Sequence, residues 1–569
     1  MIRVRFVLAV PRDRRVAELP VMVSSPSHLL ADSATLWVEP GTPCCSLGDN
    51  GLMLGVRFNK TNARPVARAA ELIDPEATLG EMARHLLAEY WGAFVAILIE
   101  PQSRTSSLLV DPSGLLPLYR CDRSDHTFYT TDPALAGAVP SYRDIASHLL
   151  RPELRHRRTC LADCDELPPG SMVRLGIPRD RPLQIWLPEV HFPTASAPRF
   201  EDAAAELRGL ATTVMGSWSG LLGRLGVAAS GGVDSSFVCA ALSSAETAFD
   251  CITVATSDRS GDERQSAAAV ARQFGVKCVE REFDPVHFNP CEPASRGLPR
   301  PARRAFLSVF DRLLDDAREE LGAVIVLDGN NGDNLFCYLH SAAPIVDRLR
   351  AEGWSSGVIE TLFDMCRITD CSLPTMVAAT GRRLVRGGAR DRWPSDRRLL
   401  ADDVSHAGSA PLTPWLDEES GKRSGKRDHL LLLMHAQNHL HGVTGSLRRF
   451  SPLASQPLVE FCLGVPTWLW ASGGMNRALA RAAFASRLPA PIIARTSKAG
   501  PDSFIRLAFA HNRSRIRERL LDGLLASNGL LDRTELNRAL DVDEFRDALI
   551  IDRILDILEA ENWARSWTR

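Results

Sequence analysis

Apolar residues run along the chain in two rhythms, and the rhythm changes near residue 200. Before that point come short runs with the period and composition of strands: "ATLWVEPG", "GLMLGVRF", "AFVAILIE", "SSLLVDPSG", "TFYTTD" and "SMVRLG", each bounded by turn residues. One helical stretch, "TLGEMARHLLAEYWG", interrupts them. This pattern predicts an α+β region dominated by antiparallel strands, with a first strand inside "MIRVRFVLAVPRDRR". "FPTASAPRF", residues 192–200, reads as a linker because Pro, Ser and Ala replace the apolar period.

Beyond the linker, strands and helices alternate. "FEDAAAELRGLATTVMGSWSGLL" is a helix, "RLGVAAS" a buried strand and "SSFVCAALSSA" a helix. "FDCITVAT", "KCVEREF" and "AVIVLDG" are further strands, separated by helices in "GDERQSAAAVARQFG" and "RRAFLSVFDRLLDDAREELG". Strand–helix alternation predicts a parallel sheet with crossover helices. From about residue 340 the chain reads as mostly helical, broken by a polar, mobile segment near "DEESGKRSGKRD". The expected architecture is α+β followed by α/β, with domains at residues 1–195 and 200–569.

Composition narrows the function. A formal net charge of -2 gives no basic field for nucleic acid. The basic runs "RPELRHRR" and "GRRLVRGGARDRWPSDRR" read as solvated faces or loops. No apolar run reaches the roughly 18 residues that a membrane span needs, so a cytoplasmic address is expected. The 13 cysteines are scattered without a CxxC pair, which argues for reduced thiols over a zinc or disulfide framework. His435, His439 and His441 lack the glutamate of an HExxH pattern and read as core or cleft histidines. Trp468 and Trp470 read as core.

The chemistry concentrates in "SGGVDSS", Ser230 to Ser236, between a predicted strand and a predicted helix. Ligands of open α/β sheets bind at such strand ends. Gly231 and Gly232 let a ligand approach the backbone, and the N–H groups at a helix start suit phosphate. Ser230, Ser235 and Ser236 add hydroxyls. The loop is not a Walker A motif, since the GxxxxGK[ST] lysine is missing. A second loop, "LDGNNGDNLF", follows another predicted strand and sets Gly329 beside Asp333. Magnesium prefers a few carboxylates, waters and phosphate oxygens, so Asp234 and Asp333 are the expected metal pair.

The first loop resembles the pyrophosphate loop of the ATP pyrophosphatases, which cleave ATP between the α- and β-phosphates and adenylate a substrate. The resemblance implies ATP and magnesium as cofactors and places adenine near Val254, within Thr253 to Thr256. It also implies that Lys498, in "RTSKAGPDSF", neutralises the departing pyrophosphate. Asn330 falls where asparagine synthetases carry a glutamate and β-lactam synthetases a tyrosine. An amide is no general base, so the chemistry at that point must differ from both.

"YWGAFVAILIE", "LLVDPSGLLPLY" and "FYTTDPALA" resemble the amino-terminal glutaminase domain of asparagine synthetases. Residue 2 is Ile2, where that domain needs a cysteine, so glutaminase activity is expected to be lost. The attacking amine must then come from elsewhere, most simply from the substrate itself. "GDNLFCYLHSAAP", "LPRPARRAF" and "RTSKAGPDSF" look like the lasso-peptide cyclases, which join an Asp or Glu side chain to a peptide's own amino terminus. That resemblance implies a linear precursor peptide as substrate, with a leader-binding protein and a leader protease as partners. The alternatives are an amide ligase acting on a small molecule, a tRNA-modifying adenylase and a non-catalytic peptide-binding scaffold.

Overall fold

The computed structural model describes residues 4–11, 28–29, 34–66, 76–177, 180–193, 197–256, 262–303, 305–386, 393–404, 410–416, 425–443, 448–496, 502–541 and 548–568. The amino-terminal strands form two six-stranded sheets, and every strand pairing in them is antiparallel. Their longest strand, Tyr90–Ile99, is buried on both faces, which explains its nearly unbroken apolar sequence.

Two readings of this region change. The predicted helix through "TLGEMARHLLAEYWG" stops at Glu89, and Tyr90 begins the strand at once. Thr78 and Glu81 start the helix with a capping box. Strand pairing wins beyond it: Gly92 stands opposite Arg57, and a Cβ there would lie 2.3 Å from the Val56 carbonyl oxygen. A second helix, Tyr142–Leu150, was not expected; Ser141 caps it by accepting the Asp144 N–H. The basic run after it is tied down, with Arg155 on Glu166, Arg157 on Asp165 and Arg158 on Asp144.

The second region is the expected parallel sheet. Its order is Cys278–Phe283, Phe249–Thr256, Leu225–Ala228, Ile325–Leu327 and Arg449–Phe450. The last strand has two residues and carries no apolar run, so the sequence pattern missed it. Leu225–Ala228, the first of these five in chain order, lies in the middle, and the order turns back beside it. The crevice between Leu225–Ala228 and Ile325–Leu327 is therefore the topological switch point. The segment "DEESGKRSGKRD" lies outside the described residues up to 424, but Gly425 opens a helix, Gly425–Ala436. Lys426 is buried there and donates to the carbonyls of Cys462 and Val465. Burial pushes its pKa down to about 8.

One apolar core crosses both regions. The helix Phe200–Leu222 turns Ala204, Leu207, Ala211, Met215 and Trp218 inward at helical spacing. Trp218 lies 5.0 Å from the Phe58 ring and 6.0 Å from Trp91, on the antiparallel side. It also lies 4.6 Å from Phe450 on the parallel sheet, and its Nε1 donates to Ser455 at 2.9 Å. Trp218→Ala should cost about 3–5 kcal/mol. Denaturant melts followed by circular dichroism should show the midpoint falling and the single transition splitting as the two regions uncouple.

Candidate active site

The loop after Leu225–Ala228 curls onto itself. Ser230 Oγ accepts the Gly232 N–H at 3.2 Å, and Ser235 Oγ accepts the Ser230 N–H at 3.3 Å. Gly231 has φ +66, and a Cβ on it would sit 2.2 Å from the Ser266 Cβ. Only glycine fits that turn. The helix Val233–Ser244 then starts from Gly232 with no side-chain cap, so no capping side chain takes up the N–H groups of its first turn. Arg495 donates to the carbonyls of Ser230 at 3.3 Å and Gly231 at 3.2 Å, and its other arm holds Glu263 at 2.8 Å. It occupies two carbonyl dipoles that would otherwise repel a phosphate. Ser236 is fully buried and Ser230 half-buried, so the hydroxyls of the motif differ in access. On the neighbouring strand Val254 is partly exposed, while Thr253 and Thr256 are buried.

The loop after Ile325–Leu327 lies directly on this one. A Cβ at Gly329 would fall 2.6 Å from the Ser235 nitrogen, and one at Gly332 would fall 2.3 Å from the Asp234 Cγ. Asn331 adopts φ 76 and leads into the short helix Gly332–Leu335, which holds Asp333 in its first turn. The structure thus brings Asp234 and Asp333 together. Both carboxylates accept from Nη1 of Arg477, Asp234 at 2.8 Å. Arg477 itself sits at φ 55, with its guanidinium 5.3 Å above the Tyr338 ring. Two carboxylates that converge on one cationic nitrogen fit a magnesium ion that keeps waters and phosphate oxygens, once the guanidinium turns aside. No group of three metal-binding side chains occurs among the described residues.

Sequence reasoning missed Arg477, Arg495 and Glu263. Arg477 at a helix start and Arg495 at a helix end carry no spacing signature; only the fold aims Arg477 between two carboxylates from other loops. Beneath it, Arg481 donates to the carbonyls of Asn476 at 2.7 Å and Arg495 at 2.8 Å, which fixes the segment. Burial, then the charge of Arg477, lowers the Arg481 pKa to about 10. Lys498 lies outside the described residues.

Asn330 faces a cavity of about 580 Å³ between the two regions. Its side-chain amide donates to Asp328 Oδ2 at 3.2 Å and to the His439 carbonyl at 3.3 Å. Asp328 is buried and also accepts from Ser451 Oγ at 2.8 Å, His441 Nδ1 at 2.9 Å and Arg449 at 3.4 Å. Burial pushes the Asp328 carboxyl up, but His441, Arg449 and Ser451 outweigh it, so its pKa is lowered. His439 and His441 line the cavity, as expected of cleft histidines. Its far wall comes from the amino-terminal region, including Gly114, Tyr119 and Arg155.

A glycine-rich loop and a paired-carboxylate loop thus meet at the switch point of a parallel sheet, the place where open α/β folds bind their ligands. Residues 223–565 match the asparagine synthase family, and the chain belongs to that family. Its domain is an ATP-dependent one that forms carbon–nitrogen bonds. A search of curated proteins gave no match.

Gly332→Ala tests the contact between the two loops. The added methyl should force them apart at about 1–3 kcal/mol of stability. Calorimetric titration with inorganic pyrophosphate and magnesium should show affinity falling about tenfold or more, the equivalent of at least 1.4 kcal/mol.

Proposed function

We propose that this protein is a peptide cyclase of the lasso type. It adenylates an Asp or Glu side chain of a linear peptide and joins it to the peptide's own amino terminus. The observation that carries the reading is the cavity at Asn330. At about 580 Å³ it exceeds what aspartate and ammonia would fill, and it lies within the roughly 300–1,000 Å³ usual for larger ligands. Residues of both regions wall it, so the amino-terminal region acts here as part of a substrate site.

This reading implies the following steps. ATP lies with its phosphates on the Ser230–Ser236 loop and its base near Val254. Asp234 and Asp333 would hold a magnesium ion, which when bound would neutralise phosphate charge. The substrate carboxylate enters from the cavity past Asn330 and attacks the α-phosphorus. Pyrophosphate leaves toward the uncapped start of the helix Val233–Ser244, with Arg477 and Lys498 as the cations for its charge. The amine then attacks the acyl-adenylate and AMP departs. Holding both ends of one peptide supplies the orientation that dilute reactants lack. A leader-binding protein and a leader protease would prepare the substrate.

ATP–pyrophosphate exchange separates this reading from the alternatives. Linear peptides with a free amino terminus and one internal Asp or Glu should support exchange, release AMP and lose one water. Exchange supported by free aspartate or by tRNA, and not by any peptide, would defeat it. Asp234→Ala should abolish exchange while the melting temperature stays within a few degrees.

A further inference from the structure

The amide-forming step needs a proton acceptor. The attacking nitrogen loses a proton as it bonds to carbon, and Asn330 cannot take it. The cavity beside Asn330 contains many charged groups, but nearly all are already matched. Arg155 and Arg300 share Glu166, at 2.8 and 2.5 Å. Arg303 is held by Glu153 and Asp556. Arg449 spans Asp311 at 2.6 Å and Asp328 at 3.4 Å. His148 is buried among these cations, and burial, then its neighbours His156, Arg300 and Arg303, lower its pKa to about 3, so it stays neutral.

His441 is different. Its Nδ1 lies 2.9 Å from Asp328 Oδ2, and the Asp328 carboxylate is fixed by Ser451, Asn330 and Arg449. A carboxylate at Nδ1 sets the tautomer: Nδ1 carries the proton and donates, which leaves the Nε2 lone pair bare. Nε2 has no partner among the described residues, and the ring, about a quarter exposed, lines the cavity. It stands beside Asn330, whose amide nitrogen lies 3.3 Å from the same Nδ1, on the side away from Nε2. The groups that face the ring are Asp328 and Asn330 from the loop after Ile325–Leu327, Arg449 from the last strand, and neighbouring His439. Across the cavity stand Arg155, Arg300 and Arg303 with their carboxylates.

We propose that His441, oriented by Asp328, is the general base for the amide-forming step. The inference rests on the reading of the site as an adenylating amide synthase. As the amine nitrogen bonds to the acyl carbon, Nε2 takes the proton from that nitrogen. The carbon–oxygen bond to AMP breaks, and AMP leaves with the electron pair. The imidazolium then returns its proton to water through the cavity. Asp328 is a positioning residue: it fixes the ring and stabilises the imidazolium.

The test uses the full chain, ATP and a pool of synthetic peptides, each with a free amino terminus and one internal Asp or Glu. Exchange of pyrophosphate reads adenylation, mass spectrometry reads amide formation, and hydroxylamine serves as a nucleophile that needs no base. His441→Ala should keep exchange and hydroxamate formation within about threefold and lose amide formation by about 10²–10⁴-fold. The deficit should shrink as pH rises and the amine loses its proton in solution, and added imidazole should restore part of the rate. Asp328→Asn should lower the rate less and move the pH profile; His441→Gln, closer in size, guards against misfolding. Amide formation at the wild-type rate in both His441 variants would overturn the proposal, as would equal loss of all three readouts in folded protein. If only aspartate supports exchange, the peptide reading falls. The same comparison with ammonia as nucleophile then decides on His441.

Discussion

Two missing Cβ atoms hold the site together. Gly329 and Gly332 bring the second loop onto the first so closely that a methyl group on either would overlap Ser235 or Asp234. The parallel sheet sets this up, because Leu225–Ala228 pairs directly with Ile325–Leu327 and both loops emerge at one edge. A wider separation would leave Asp234 and Asp333 too far apart to share a cation. The carboxylate pair is thus a consequence of backbone contact, not of either loop alone.

That closeness has an electrostatic cost. Two carboxylates on one point repel, and the protein meets the charge with Arg477, drawn from a segment remote in sequence. Holding Arg477 requires left-handed backbone at φ 55 in a residue with a side chain. Arg481 and its carbonyl partners fasten the following helix. Under the proposed function, the guanidinium occupies a place that a metal ion and phosphate oxygens would contest, so loading the site would exchange one cation for another.

The two glycine-rich strand-end loops were legible in the sequence because their geometry is local. Ser230 to Ser236 needs glycines for a tight turn and a helix start for its N–H groups, and both leave a mark within seven residues. The helix Phe200–Leu222 was equally plain, since its apolar spacing persists over several turns. Illegible features were those assembled across the chain. Arg449–Phe450 completes the sheet with two residues, too few for any period. The Tyr142–Leu150 helix hid between strand-like runs. Asp328 drew no notice within "LDGNNGDNLF", since its partners Ser451, Arg449 and His441 all lie more than a hundred residues later. The charge run "RPELRHRR" looked solvated because its partners Glu166, Asp165 and Asp144 are recognisable only once the strands pair.

Under the proposed function, the aromatic contact between the two regions would bear on catalysis as much as on stability. Trp218 touches Phe58 and Trp91 on one side and Phe450 on the other, and Phe450 follows Arg449 directly. Arg449 donates to Asp328, which sets His441. The cavity wall from the amino-terminal region is therefore placed against the dyad by the same packed cluster that joins the regions. Loosening that cluster would not remove a reacting group. It would widen the distance between the wall that holds a substrate and the residues that act on it. A misplacement of about 1 Å can cost a hundredfold in rate where orientation is the main source of acceleration. The proposed function would thus give the antiparallel half a catalytic reason to share one continuous core with the synthase half.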